Sequence, residues 1–237
     1  YIMNRVNHAK FDTNPLWRFH PDAEDIEAVN DQYKEFLDNA YDKFMEENPD
    51  WYKEGNSSFY HTARNIIYSE GFRPSSYGDT RGHSTIGVGF KISSLTPEDQ
   101  NYLTDPERTT QDHFDFFVDY FLKNTIKEAR ELCTKPDLHP EKLSICAENV
   151  YNMGKGKFSG FKKTLQGINT GDDILAATEI LDNKSVKEAL MLQKNPDLPN
   201  ADGVLIRFNS YSHRLRNFKK NLDRLNDNIP SEQLAFE

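Results

Sequence analysis

Several kinds of protein are excluded by what this chain of 237 residues has little of. It holds only two cysteines, Cys133 and Cys146, too few for a disulfide framework, and their spacing fits no zinc pattern. Two buried thiols are the expectation, since free Cys behaves as a small hydrophobe, and a bridge between them is the lesser alternative. No stretch approaches the roughly 18–20 uninterrupted apolar residues that a membrane helix needs, and no basic-then-apolar start marks a signal peptide. Base is also scarce, with Lys+Arg 29 against Asp+Glu 38 and a net charge of −9. A nucleic-acid partner would require a basic stripe, so none is expected. The sequence opens at Tyr1 and not at Met, so whether it is a fragment of a longer chain stays open, and so does its export route.

What is present describes a soluble globular protein, with 36% hydrophobic, 12% aromatic and 28% charged residues and no low-complexity tract. The acidity is unevenly spread. Residues 1–56 hold 13 acids and 6 bases, which leaves 25 acids and 23 bases for residues 57–237. The length suits one catalytic domain with an appendage.

Periodicity places the elements. From Pro21 to Met45, Tyr33, Phe36, Leu37, Tyr41 and Phe44 recur at helical spacing, and Asn48-Pro49-Asp50 with Gly55-Asn56 then interrupt it. A boundary near Asn56 follows. A second helix runs from Ser58 to Glu70, with Gly71 as its stop. The turn formers Gly78 to Gly82, followed by Ser84-Thr-Ile-Gly-Val-Gly-Phe90, read as a hairpin. Beyond Lys91 the pattern is helical throughout. Thr96-Pro97 caps one helix, and one long helix covers about Thr110 to Leu132. Another opens at Pro140 and is apolar nearly all round to Met153, as a buried helix would be. Ser185 to Glu188 reads as a capping box, and Val204 to Leu225 makes the last helix. The basic cluster His213, Arg214, Arg216, Lys219, Lys220 and Arg224 reads as its solvated face. The fold class is therefore α+β, mainly α: a small hairpin lobe and a helical lobe, behind a helical N-terminal extension. A cleft between two such lobes is the default place for a site.

Residues 70–90 hold a candidate constellation, although a Glu at a helix end, an Asp in a turn and a Thr in a strand are each ordinary, and their spacing alone does not make a site. Cleaving a glycosidic bond needs a carboxylic acid to protonate the leaving oxygen and a second polar group to present water. Glu70 sits at a helix C-terminus, where the negative end of the macrodipole and burial near Phe72 and Tyr77 favour the neutral acid that a proton donor must be. Asp79, in a polar glycine-flanked turn, is placed to stay ionised. Thr85 opens the next strand with a hydroxyl that both donates and accepts, so the pair could hold a water. Gly87 and Gly89 are read as clearing space for a sugar. His61, His83, His113 and His213 show no ligand spacing and are read as structural or solvent-facing, with His83 nearest the substrate turn. No metal site is expected.

Glu70-Gly71, Tyr77-Gly-Asp79-Thr80, Gly82 and Thr85-Ile-Gly-Val-Gly89 together resemble, without a gap, the hairpin motif of the phage T4-type lysozymes. A second block, Tyr151-Asn-Met-Gly154 with Phe158, Gly160, Phe161, Thr164-Leu165 and Ile168-Asn-Thr-Gly171, is similar to that family's aromatic-Asn-x-Gly helix and the turn after it. The likeness spans about residues 57–225. It divides the chain into an acidic helical extension (1–56), a lysozyme-like catalytic domain (57–228) and a tail (229–237).

The resemblance implies a muramidase that cleaves the β-1,4 bond between N-acetylmuramic acid and N-acetylglucosamine with inversion. Glu70 would be the general acid, and Asp79 and Thr85 would position the water. Tyr151, Asn152, Thr164 and Lys91 would bind substrate. No cofactor is implied, and the partner is bacterial peptidoglycan. Action at the bacterial wall or periplasm follows, after synthesis in a host cytoplasm, with host lysis, wall penetration from a virion and an antibacterial effector all open. Residues 1–56 point to a larger phage or secretion assembly. A silent lysozyme-fold binding module and an enzyme for chitin or chitosan are the other readings. The family usually has His after the Gly-x-Gly of the hairpin; here it is Phe90, so an ion pair bracing the lobes is absent.

Overall fold

The computed structural model describes residues 23–51, 55–78, 82–193 and 202–219. These divide into two compact units, with the change falling between Glu128 and Ala129.

The first unit begins with helices α1 (Ala23–Glu47) and α2 (Asn56–Glu70). Their apolar faces meet: Leu37, Ala40, Tyr41 and Phe44 of α1 and Phe59, Tyr60, Ala63, Ile66 and Ile67 of α2 are all buried. Tyr41 packs edge-on to Tyr60 at 5.2 Å, and Trp51 lies between Phe44 and Phe59 at 5.2 and 6.0 Å. Three strands follow, β1 (Arg73–Gly78), β2 (Ser84–Gly87) and β3 (Phe90–Lys91), in the antiparallel order β1-β2-β3. The hairpin expected from sequence is thus extended by a third short strand.

After a 3-10 turn at Ile92–Ser94 comes α3 (Pro97–Thr104), capped as expected by Thr96, whose hydroxyl accepts from the Asp99 N–H. Helix α4 (Thr110–Tyr120) opens with a reciprocal capping box between Thr109 and Asp112. The single long helix expected here is interrupted: Phe121–Thr125 forms a π-helical turn before α5 (Ile126–Leu132). One extra residue in that turn lets Phe121, Leu122 and Thr125 all be buried. Helix α1 is tied to α4 by Lys43 to Asp115 at 2.7 Å and by Gln111, which donates to the Phe36 carbonyl at 2.9 Å. It therefore shares the core of this unit.

The second unit is helical: α6 (Pro140–Met153), α7 (Lys155–Phe158), α8 (Lys162–Thr170), α9 (Asp173–Glu179), α10 (Lys184–Gln193) and α11 (Asp202–Arg216). Glu141 to Val150 of α6 are buried without a break, which makes α6 the buried central helix that its composition foretold. Three expectations are corrected. Cys133 and Cys146 are both buried, but they are joined in a disulfide; closing a loop of this size constrains the unfolded chain by about 3 kcal/mol. Helix α10 is capped by Asn183, whose side chain accepts from the Val186 N–H at 3.0 Å, so Ser185 lies inside the helix and is not its cap. Arg214 is no part of a solvated face: it is buried and bonded to Glu141 and Glu148 of α6. The rest of the last helix expected from sequence, beyond residue 219, lies outside the described residues.

Candidate active site

Helix α2 stops where its sequence says it should. Gly71 takes φ +69, a conformation costly for any residue with a Cβ, and its N–H returns to the Ile67 carbonyl at 2.8 Å. Glu70 is left as the last helical residue, half-buried, with the chain turning away behind it.

The opposing piece is the turn between β2 and β3. A Cβ on Gly89 would stand 2.8 Å from Glu70 Cβ and 3.0 Å from both its Cγ and Oε2. The carboxylate arm therefore lies directly against the Gly89 backbone. Sequence reading assigned this glycine to the sugar; the geometry gives it another task, making room for the acid. Gly89→Ala should lower activity by about 10²-fold through displacement of the carboxyl, and φ +72 there adds backbone strain. Gly171→Ala is the control, since φ +81 imposes like strain but only the flexible Lys135 tip lies nearby, at 3.8 Å. Assays of both variants should show a stability loss in each and an activity loss in the first alone.

Thr85 lies on β2, buried, with its hydroxyl donating to the His83 carbonyl at 3.4 Å. It pairs with Tyr77 on one side and Lys91 on the other, so the three form one cross-strand row. Ile86 and its partner Phe90 are buried. Phe90 packs edge-on against Phe116 and Tyr120 at 5.2 Å each, so aromatic contact fastens β3 to α4. Asp79 lies outside the described residues, as do residues 80 and 81. The last described residue before it, Gly78, pairs with Ser84, the neighbour of Thr85.

Of the residues proposed from sequence to bind substrate, Lys91 is exposed on β3. Tyr151 and Asn152 end α6, both half-buried, where Gly154 at φ +81 breaks the helix. Asn152 donates its amide to the Tyr211 hydroxyl at 3.1 Å, and that hydroxyl is held well above the usual tyrosine range by burial and by the nearby Glu148. Tyr211 is a supporting residue that sequence reading did not single out, because no motif marks it. Thr164 is 1% exposed in the first turn of α8, and its hydroxyl has no hydrogen-bond partner among the described residues. The structure thus gathers Glu70, Thr85 and Lys91 in the first unit and Tyr151, Asn152 and Thr164 in the second. Among the described residues no group of three or more His, Cys, Asp or Glu is placed to hold a metal ion, and no helix is long and apolar enough to cross a membrane.

A half-buried carboxyl at a helix end beside a small antiparallel sheet can supply the acid that glycoside hydrolysis needs. The phage lysozyme family matches residues 68–191, a span that contains Glu70, Asp79, Thr85 and all four residues named for substrate. The chain belongs to the phage lysozyme family, and it is a glycoside hydrolase of the lysozyme type acting on peptidoglycan. No curated protein sequence matches it. Among solved structures it is similar in fold to the muramidase domain of SpmX from Asticaccaulis excentricus, with 17% identity and a TM-score of 0.46 over 65% of this chain and 94% of that one. A P22 lysozyme mutant is similar at 20% identity and a TM-score of 0.45, over the same shares of the two chains.

Proposed function

We propose that this enzyme is a muramidase that hydrolyses the β-1,4 bond between N-acetylmuramic acid and N-acetylglucosamine with inversion at the anomeric carbon. Glu70 protonates the leaving oxygen. Asp79 and Thr85 hold the attacking water on the opposite face of the sugar, so bond cleavage and water attack form a single displacement. The observation that carries this reading is the seat of Glu70: a half-buried carboxyl at a helix end, pressed against the glycine turn of the strand that bears Thr85. Tyr151, Asn152, Thr164 and Lys91 are assigned to substrate binding, Asn152 with its amide held by Tyr211.

Residues 1–56 precede the family-matched span. They are proposed as an addition to the minimal catalytic domain that can meet a partner in a larger assembly, such as a virion penetrating the wall. The exposed acids Glu35, Glu46 and Glu47 of α1 are consistent with a partner surface there.

Product analysis tests the reaction. Digested peptidoglycan, reduced with borohydride and examined by mass spectrometry, should yield muramitol ends. N-acetylglucosaminitol ends would make the enzyme a glucosaminidase, and anhydromuramic ends would mean that no water is used; either contradicts the proposal.

A further inference from the structure

His113 stands beneath the catalytic segment and has no part in the mechanism above. It lies in the first turn of α4 and is 2% exposed, and its ring Nδ1 has no hydrogen-bond partner among the described residues. Two contacts define its place. The ring meets Phe72 edge-on at 5.8 Å, and Phe72 is joined to Glu70 through Gly71 alone. Nδ1 lies 3.5 Å from where a Gly87 Cβ would be, and Gly87 is two residues from Thr85 on β2. Arg73 and Gly87 are register partners, so the ring sits at the corner where β1 begins and β2 ends. One imidazole thereby meets the segments that follow Glu70 and Thr85.

Its surroundings accept a neutral ring and oppose a cation. Phe72 and Gly87 carry no ionisable group. Phe114, next in sequence, packs on Phe72 at 5.1 Å. Asp112, next to it on its own helix, favours the cation, but its carboxylate is committed to the α4 cap, where it accepts from the Thr109 N–H and hydroxyl at 2.8 Å each; Asp115, two residues on, is paired with Lys43 at 2.7 Å. Arg108 opposes the cation from the loop before α4, with its guanidinium over the Tyr102 ring at 3.9 Å. Of the ionisable residues that flank the contact segment, Glu70 lies against Gly89 and the Arg73 guanidinium over Tyr77 at 4.4 Å. The first turn of a helix is also the positive end of its dipole. Burial, ahead of these charges, holds the ring below the ordinary histidine value of 6.5.

We infer that His113 is a positioning residue whose neutral ring props Phe72 and Gly87, and through them Glu70 and Thr85, so that acidification disables the enzyme at this point. The inference rests on the reading of Glu70 and Thr85 as the site. Above the ordinary histidine value the ring is neutral whether folded or not, and the prop is intact. As pH falls towards the depressed folded value, the unfolded chain takes the proton more readily, and the folded corner loses stability. Protonation then drives the ring from its apolar seat.

The test is the acid limb of the rate profile on soluble peptidoglycan fragments, measured for the parent, His113→Phe and His113→Asn. The parent limb should fall more steeply than one ionisation allows, because the Asp79 carboxylate and the His113 ring both take protons. Both variants should fall as a single ionisation and keep several-fold more activity than the parent at the acid end, with the difference in kcat and not in KM. Superimposable limbs would overturn the inference. A second measurement needs no His113 variant: nuclear magnetic resonance titration of the Glu70→Gln chain with labelled histidine. The ring should titrate below its ordinary value, and the Phe72 and Gly87 amide signals should move with the same midpoint. An ordinary midpoint, or amides that do not follow it, would overturn the inference. If the Glu70→Gln chain still cleaved wall, the site reading would fall by itself, whatever those amides did.

Discussion

Glu70→Gln should lower kcat on purified peptidoglycan by about 10²–10⁴-fold, the usual contribution of a positioned general acid, and leave KM almost unchanged. The amide has the volume of the carboxyl and fills the same seat against Gly89, where the arm approaches the backbone within 3.0 Å of the missing Cβ. What it lacks is a proton to give to the glycosidic oxygen. Because the substitution leaves the packing intact, the circular dichroism and unfolding midpoint should match those of the parent. Turbidity clearing reads the effect. Equal clearing by both proteins would remove Glu70 from the mechanism and leave only the fold.

Arg214→Met should cost about 3–5 kcal/mol of folding stability, the range for stripping the partner from buried charges. The Arg214 side chain is 5% exposed, and Glu141 and Glu148 are 6% exposed each. Its Nε and Nη2 donate to Glu141 Oε1 at 2.8 and 2.5 Å, and Nη1 donates to Glu148 Oε1 at 2.6 Å. Burial alone would lower the affinity of this guanidinium for its proton; the two carboxylates outweigh burial and raise it. Without the cation, the two buried carboxylates of α6 lose the guanidinium that they share. Urea titration measures the loss, and replacing all three residues with apolar ones should recover most of it. A loss below about 1 kcal/mol, the level of a surface pair, would mean that water reaches the cluster.

What was legible in the sequence was what depends on neighbours along the chain. The stop of α2 at Gly71, the Thr96 cap and the start of α6 at Pro140 are each set within a few residues, and the structure reproduces them. The π turn at Phe121–Thr125 was not legible, since a register slip of one residue leaves the apolar pattern almost unchanged. Nor was the cap at Asn183, because Asn183 and Ser185 are both residues that cap helices and only the backbone decides between them. The disulfide depends on how α5 and α6 pack, a distance that spacing does not contain. In the site, Glu70 and Thr85 were visible through their motif, but the reason for Gly89 was not. It lies in an approach between residues nineteen apart in sequence. Arg214 was hidden for a related cause: a charged side chain looks solvated until its partners from distant elements are known.

The stereochemistry of the first product tests the account most directly. Proton magnetic resonance, recorded while a soluble peptidoglycan fragment is being cut and before the anomers equilibrate, shows which anomer of the new muramic acid end forms first. An acid at Glu70 with water held across the ring by Asp79 and Thr85 predicts the α-anomer. Initial appearance of the β-anomer would mean that a group on the enzyme, and not that water, attacks the sugar, which would contradict the mechanism built on these three residues.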